Sequence, residues 1–279
     1  MKLRDKVFVV TGAANGIGRQ VALQLVEKGA RVALVDIDDV GLKETGVLAG
    51  SRADRVSTHV LNVVDRPAVS ALPDAVVATH GAVDGLVNVA GVIHRFARVD
   101  DLAFDEIERV LSINLYGVLN VTKVFLPPLL KRPKAHITFV SSMGSFVPVP
   151  GQTIYGASKA AVKMLAEGLN SELRDTNVRV SVVFPGAIRT DIAVNSGAMT
   201  REESEATANS MRMTPPQVAA AEIVRGIEKN RYRVFAGRDS FLLDKLNRLA
   251  PVHAAKLIWK QMRDVLPSTA DFPGQGTHR

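Results

Sequence analysis

The 279-residue sequence contains no cysteine. That absence excludes a disulfide framework, cysteine-ligated zinc or iron–sulfur centres and a thiolate nucleophile, and it fits a reducing cytoplasm. The six histidines fall in no HExxH or comparable spacing, so no metal site is expected. Aromatic residues are scarce at 5%, with one tryptophan, which leaves little with which to stack nucleic-acid bases. The opening MKLRDKVFVV has neither the roughly 7 to 15 apolar residues and cleavage site of a signal peptide nor a spanning run of about 18. The expected location is the cytoplasm.

What is present, 47% hydrophobic and 23% charged residues, suits a soluble globular chain, long enough for one large α/β domain or two small ones. The net charge of +7 is unevenly spread. Residues 1–224 hold 24 Lys and Arg against 23 Asp and Glu, whereas residues 225–279 hold 11 against 5. The body is nearly neutral, and Arg231, Arg233, Arg238, Lys245, Arg248, Lys256, Lys260 and Arg263 make a basic C-terminal segment. Rings that could stack bases are few in that segment, Trp259 among them, so no nucleic-acid partner is expected.

Short β-branched runs at Val7–Val10, Arg31–Asp36, Val56–Val60, Asp84–Val89, His136–Ser141 and Val178–Phe184 alternate with helical stretches. Continuous apolar runs joined by helix-length crossovers predict an α/β fold with a doubly wound parallel sheet and helices on both faces. A polar stretch, 191–213, precedes a helix that begins at Pro215–Pro216, and Tyr232–Ala236 reads as a seventh strand. The domain is expected to span 1–236, with 237–279 a basic amphipathic extension and tail.

Between the first strand and first helix lies Thr11-Gly12-Ala13-Ala14-Asn15-Gly16-Ile17-Gly18. Glycines there permit positive φ and close approach of a phosphate to free helix N–H groups, although such a turn can also be purely structural. Asp36 ends the second strand, where a carboxylate can accept both hydroxyls of an adenosine ribose and repel a 2′-phosphate. Its neighbours Asn15 and Ile37 are not cations, which favours NAD over NADP. Asp36 can also be read as a helix cap, a role open to Asp38 and Asp39.

Tyr155 and Lys159 are spaced i, i+4 on a helical stretch, hence on one face. An ammonium beside a phenol stabilises the phenolate and is expected to lower its pKa. Alone, the pair also fits a packed ring and a surface cation. Ser141 and Ser142 end the fifth strand at its carboxyl edge, from which Ser142 can orient a carbonyl.

These residues, with Asn88-Val89-Ala90-Gly91, Asn114 and Pro185-Gly186-Ala187-Ile188-Arg189-Thr190, resemble the ordered motifs of the short-chain dehydrogenase/reductase family in its single-domain, Rossmann-type form. The resemblance is strong over about 5–190 and looser over 191–236. It departs at Asn62, where the family often has an Asp facing adenine, with Val63 beside it, and at Val89, which replaces the second Asn of NNAG. Asn88 and Gly91 are expected to face the cofactor and to make the turn.

The resemblance implies reversible hydride transfer between NAD and a secondary alcohol or ketone. Tyr155 would be the general acid/base, Lys159 would tune it and hold the nicotinamide ribose, Ser142 would bind the reacting oxygen, and Asn114 would position a water. Ala90, Pro185, Gly186, Ile188 and Thr190 would complete the cofactor site. Taken singly, Asn114 also fits a backbone bridge within a helix, and Pro185–Gly186 an ordinary strand exit. A homotetramer or dimer is the family habit. A different class, an NAD-binding sensor or scaffold with little catalysis, remains the alternative.

Substrate choice is expected in Met143, Phe146, Val147 and Val149 and in a mobile lid over 191–213, where Ala193, Val194, Met199, Met211 and Met213 offer an apolar wall. A mainly apolar small molecule is expected, with Arg189 and Arg201 leaving an anionic one open. In 239–266, Pro251 splits two helices; in the second, Ala255, Ile258, Met262 and Val265 share a face, beside Trp259 and Leu266 and opposite Lys256, Lys260 and Arg263. Such a helix lies on an anionic membrane surface or, more commonly, docks on the body or a neighbouring subunit. Residues 267–279 read as a loose tail.

Overall fold

A computed structural model describes residues 1–210 and 213–262. Met211, Arg212, Arg263, Val265, Leu266 and the tail 267–279 lie outside the described residues. Seven parallel strands form one sheet in the order β3-β2-β1-β4-β5-β6-β7. In chain order, β1 is Val7–Thr11, α1 Gly16–Glu27, β2 Arg31–Asp36, α2 Asp39–Leu48, β3 Val56–Val60, α3 Arg66–His80 and β4 Gly85–Asn88. There follow α4 (Phe104–Leu111), α5 (Val118–Leu130), β5 (Ala135–Val140), α6 (Thr153–Glu172), β6 (Val178–Pro185), α7 (Ile192–Asn195) and α8 (Arg201–Ser210). The chain then forms α9 (Pro216–Glu228), β7 (Arg233–Ala236), α10 (Arg238–Leu249) and α11 (Pro251–Met262).

The central strands are apolar on both faces because helices cover both; β1, β4 and β5 are buried along their whole lengths. One core layer joins Val9, Leu86, Ile137 and Val182 to the inward residues of α3, α5 and α6. The other joins Phe8, Leu34 and Val87 to α1 and α9. The chain winds outward from β1 to β2 and β3 on one side, then crosses back through α3 to β4 on the other side of β1, so the sheet has a topological switch point between β1 and β4.

Helices α4 and α5 run into one another through a π-helical turn, Ser112–Gly117. The continuous helix Phe104–Leu130 is long and apolar enough to cross a membrane by length and composition alone. Its apolar stripe, however, buries Val110, Val118, Val121, Phe125 and Leu129, as a core helix would.

The sheet continues into the C-terminal helices without a break. Ser240 donates from Oγ to the Phe184 carbonyl at 2.6 Å, and buried Asp244 accepts from Arg233 at 3.1 Å and from Arg248 at 3.0 Å. Arg233 in turn lies 4.7 Å from the Phe184 ring centroid. Pro251 opens α11, where its missing N–H costs nothing.

Phe125 fills the layer between α5 and the sheet with no exposure. Phe125→Ala is expected to lower the unfolding free energy by about 3 to 5 kcal/mol, read from the shift of a denaturant transition midpoint; a shift below 1 kcal/mol (~) would show that this layer is not close-packed.

Candidate active site

The carboxyl ends of β1, β2, β4, β5 and β6 open onto a cleft of about 530 Å³ at the switch point. At one end the chain leaves β1 through Gly12 and Gly16, both at positive φ (69° and 53°). A Cβ at Gly12 would sit 2.8 Å from the Ala90 backbone nitrogen, and one at Gly18 would sit 1.9 Å from the Gly12 carbonyl oxygen. No larger residue fits either approach. Thr11 Oγ1 accepts from the N–H groups of Val89 and Ala90 at 3.1 and 3.2 Å, tying β1 to the exit of β4.

The N-cap of α1 is Asn15, whose side chain caps nothing, and the first turn carries no acid. Backbone donors and the positive end of the helix dipole therefore meet the cleft without a neutralising side chain. Gly12, Asn15, Gly16, Ile17 and Gly18 all line it. Across the turn, Thr190 Cγ2 would lie 3.3 Å from a Cβ on Gly16, so β6's exit faces the glycine turn.

Asp36 lines the same end beside Ile37 and Asn62. Its carboxylate accepts from Ala14 N at 3.0 Å and from Asp38 N at 3.2 Å. The cap of α2 is Asp38, which accepts from Gly41 N at 3.0 Å, so capping does not occupy Asp36. The nearby Arg19 is committed elsewhere, to Thr45 Oγ1, the Gly41 carbonyl and Glu44. Val63 lines the wall and is held by Asn120, which donates to its carbonyl at 3.2 Å.

At the other end, Ser142, Tyr155 and Lys159 share the cleft wall. Ser142 leaves β5 in extended conformation and accepts from Gly144 N at 3.0 Å, and its hydroxyl is near enough to Tyr155 to work against the rise of that phenol's pKa. Ser141 donates to the Lys159 carbonyl at 2.7 Å, fixing α6 against β5. Lys159 is buried, and its ammonium donates to the Val140 carbonyl at 3.1 Å. A Cβ on Gly91 would lie 3.1 Å from both Lys159 Nζ and Asn114 Oδ1, so that glycine keeps the space before the ammonium open.

The electrostatics differ from the sequence expectation. Burial pushes the Tyr155 phenol up, opposed only by the Ser142 hydrogen bond, and burial lowers Lys159 from 10.5 to about 8. The ammonium points to a backbone carbonyl and lies 5.9 Å from the ring centroid, so it does not offset the phenol's loss of solvent. At neutral pH the pair holds both protons.

Two predicted residues do not line the cleft. Asn88 is buried at the end of β4 and donates to Thr122 Oγ1 at 3.2 Å; the pleat turns it away and presents Val89 instead. Asn114 is fully buried in the π-turn, accepts from Val92 N at 2.8 Å and donates to Val92 O at 2.9 Å and Ser158 Oγ at 3.0 Å. It joins three segments around Lys159 and holds the chain after Gly91. Ala90, Pro185, Gly186 and Ile188 do line the cleft.

The expected substrate-facing residues also shift. Val147 is buried, and Phe146 packs edge-on against Phe184 at 5.5 Å. Val92, Ile113 and Ile192 line the cleft, together with Asn195 and Ser196 of the 191–213 segment, which carries α7 and α8. Sequence reasoning also missed Asp239. Its carboxylate accepts from Ala187 N at 2.8 Å and occupies the space a Cβ on Gly186 would need. Its one sequence signal is its place in the first turn of a helix directly after a strand and a glycine.

The family model for short chain dehydrogenases matches residues 6–201. A Mycobacterium tuberculosis protein bearing the provisional name oxidoreductase SadH is 38% identical over 250 residues, covering 88% of this chain and 90% of its own. Among solved structures, a Burkholderia phymatum short-chain dehydrogenase/reductase in complex with NAD superposes with a TM-score of 0.80 at 24% identity, covering 89% of this chain and 95% of that one. A Burkholderia cenocepacia short chain dehydrogenase in complex with NADP gives 0.78 at 22%, covering 92% and 99%. At those identities the likeness is one of fold.

Because Lys159 is lowered to about 8 in the folded chain, between that value and its ordinary 10.5 the unfolded chain binds more protons. Stability of the cofactor-free protein should therefore rise with pH across that window. Lys159→Met should remove that rise in urea titrations at stepped pH; an unchanged slope would show that the ammonium is solvated.

Proposed function

We propose that this chain, which belongs to the short-chain dehydrogenase family, interconverts a secondary alcohol and a ketone with NAD(H), using Tyr155 as its general acid/base. It is an oxidoreductase of that family. The observation that carries the proposal is one cleft with two ends: the uncapped first turn of α1 with Asp36, and the Ser142–Tyr155–Lys159 set.

The residues fit a dinucleotide. The free donors of α1 suit a pyrophosphate. The Asp36 carboxylate suits ribose hydroxyls, and with Arg19 tied to α2 no neighbouring cation is left to receive a 2′-phosphate. Neighbours of this fold carry either NAD or NADP, so the choice of NAD rests on Asp36. The nicotinamide, when bound, supplies the hydride donor or acceptor.

The chain's own residues handle the proton. Ser142 orients the reacting oxygen toward the Tyr155 hydroxyl. Tyr155, protonated at neutral pH, gives its proton to a carbonyl oxygen in reduction and takes one from an alcohol in oxidation. Lys159, mostly an ammonium at pH 7, favours the phenolate whenever Tyr155 has released its proton. Asn114 keeps the 91–92 segment and α6 in register around that ammonium.

Val92, Ile113 and Ile192 on the cleft wall favour a mainly apolar substrate. The lack of cysteine supports action in the reducing cytoplasm. We retain the family habit of a homotetramer or dimer as part of this proposal.

Tyr155→Phe should bind NADH as the unaltered protein does, by fluorescence titration, while turnover across an alcohol and ketone panel falls at least about a hundredfold. Retained turnover would contradict the acid/base role. NADH binding with no turnover by the unaltered protein on any panel member would favour a sensor. Asp36→Ala should narrow the preference for NADH over NADPH by about tenfold or more, measured as the ratio of kcat/KM; an unaltered protein that prefers NADPH contradicts the assignment.

A further inference from the structure

The C-terminal helices are two-sided in a way the dehydrogenase reaction does not use. Their inward sides dock on the body through Ser240, Asp244, Ala254 and Ile258, all buried. Their outward sides carry large apolar residues in the open: Leu242, Leu249 and Val252 are 62%, 86% and 61% exposed. Lys245 falls between Leu242 and Leu249 on α10, and Lys256 and Lys260 continue from Val252 at four-residue spacing on α11. Apolar residues and cations thus alternate along the outer surface of one helical hairpin.

The charge has one sign. The only acids between 238 and 262 are Asp239 and Asp244, and both turn inward, one onto Ala187 N and the other onto Arg233 and Arg248. Asp244 lies near Lys245, but α11 carries no acid to offset Lys256 and Lys260. A second copy of the same face would set like charges against each other, which disfavours self-association. Nucleic acid would leave the exposed leucines and valine against water. An anionic bilayer satisfies both features, since leucine and valine enter the acyl boundary while lysines reach the headgroups.

We propose that the outward face of the α10–α11 hairpin docks this protein peripherally on anionic membrane surfaces. Helix α10 also packs against the turn Met143–Ser145 that follows Ser142, so docking sets the surface next to one wall of the cleft. An apolar substrate dissolved in a bilayer would then have a short path to Tyr155; that corollary rests on the proposed activity, whereas docking does not.

The test uses the full chain in cosedimentation with phosphatidylcholine vesicles and with vesicles holding about 30% phosphatidylglycerol at low salt. Binding to the anionic vesicles and little to the neutral ones is expected. Lys256→Gln with Lys260→Gln should weaken partitioning about 25-fold, at roughly fivefold per cation, and Leu249→Glu with Val252→Glu should abolish it. Thermal unfolding and NADH titration of each variant confirm folding independently. Absence of binding by the unaltered chain overturns the proposal, as does binding that ignores both pairs of changes. An oligomer that Leu249→Glu dissociates would also overturn it, by making this face a subunit contact.

Discussion

The first turn of α1 holds backbone donors that no side chain accepts from, and the organisation of the cleft follows from leaving them so. Asn15 is in cap position without capping, no acid follows it, and glycines at 12 and 18 bring the backbone too close for any side chain to intervene, while Gly16 supplies a positive φ. A helix end in that state is stabilised by an anion. Thr11 ties this turn to the β4 exit, Asp36 reaches back to the Ala14 N–H, and Thr190 faces Gly16 from β6. The parallel sheet makes these contacts possible because its switch point brings the carboxyl ends of β1 and β4 side by side.

At the opposite end the constraint is a buried charge. An ammonium with little solvent must be hydrogen-bonded or hold its proton less tightly, and Lys159 shows both: it donates to Val140, and burial lowers its pKa to about 8. Ser141, Asn114 and Gly91 each act on its surroundings, by anchoring α6, joining the adjoining segments and leaving space. Tyr155 shares the desolvation, so its proton is held more tightly than an exposed phenol's. The two ends together give a cleft that can bind a phosphate-linked molecule at one side and move a proton at the other.

Much of this was legible in the sequence because it is written in local pattern. Continuous apolar runs marked the strands to within a residue or two, and the seventh, read over Tyr232–Ala236 after the preceding helix, forms at Arg233–Ala236. The glycine turn, Asp36 and the Tyr155–Lys159 pair also carry their geometry in their spacing. What could not be read depended on which way a pleat or a loop faces. Asn88 and Val89 are adjacent, and only the register of β4 with β1 decides that Val89 meets the cleft. Phe146 and Val147 looked like substrate contacts but pack inward, because the turn after Ser142 folds onto β6. The direction of Tyr155's shift required burial, and Asp239 required a contact 52 residues distant.

The same limit applies to the basic C-terminus, where sequence offered docking and membrane contact as alternatives, and these helices bury one side while leaving large apolar residues exposed on the other. The most direct test of the central claim is a crystal structure of the protein with NADH. Pyrophosphate oxygens are expected on the backbone N–H groups of Gly16 and Ile17, adenosine ribose hydroxyls on the Asp36 carboxylate, and the nicotinamide beside Tyr155 and Ser142. A cofactor lying outside this cleft, or lying in it with its nicotinamide at the Asp36 end, would contradict it.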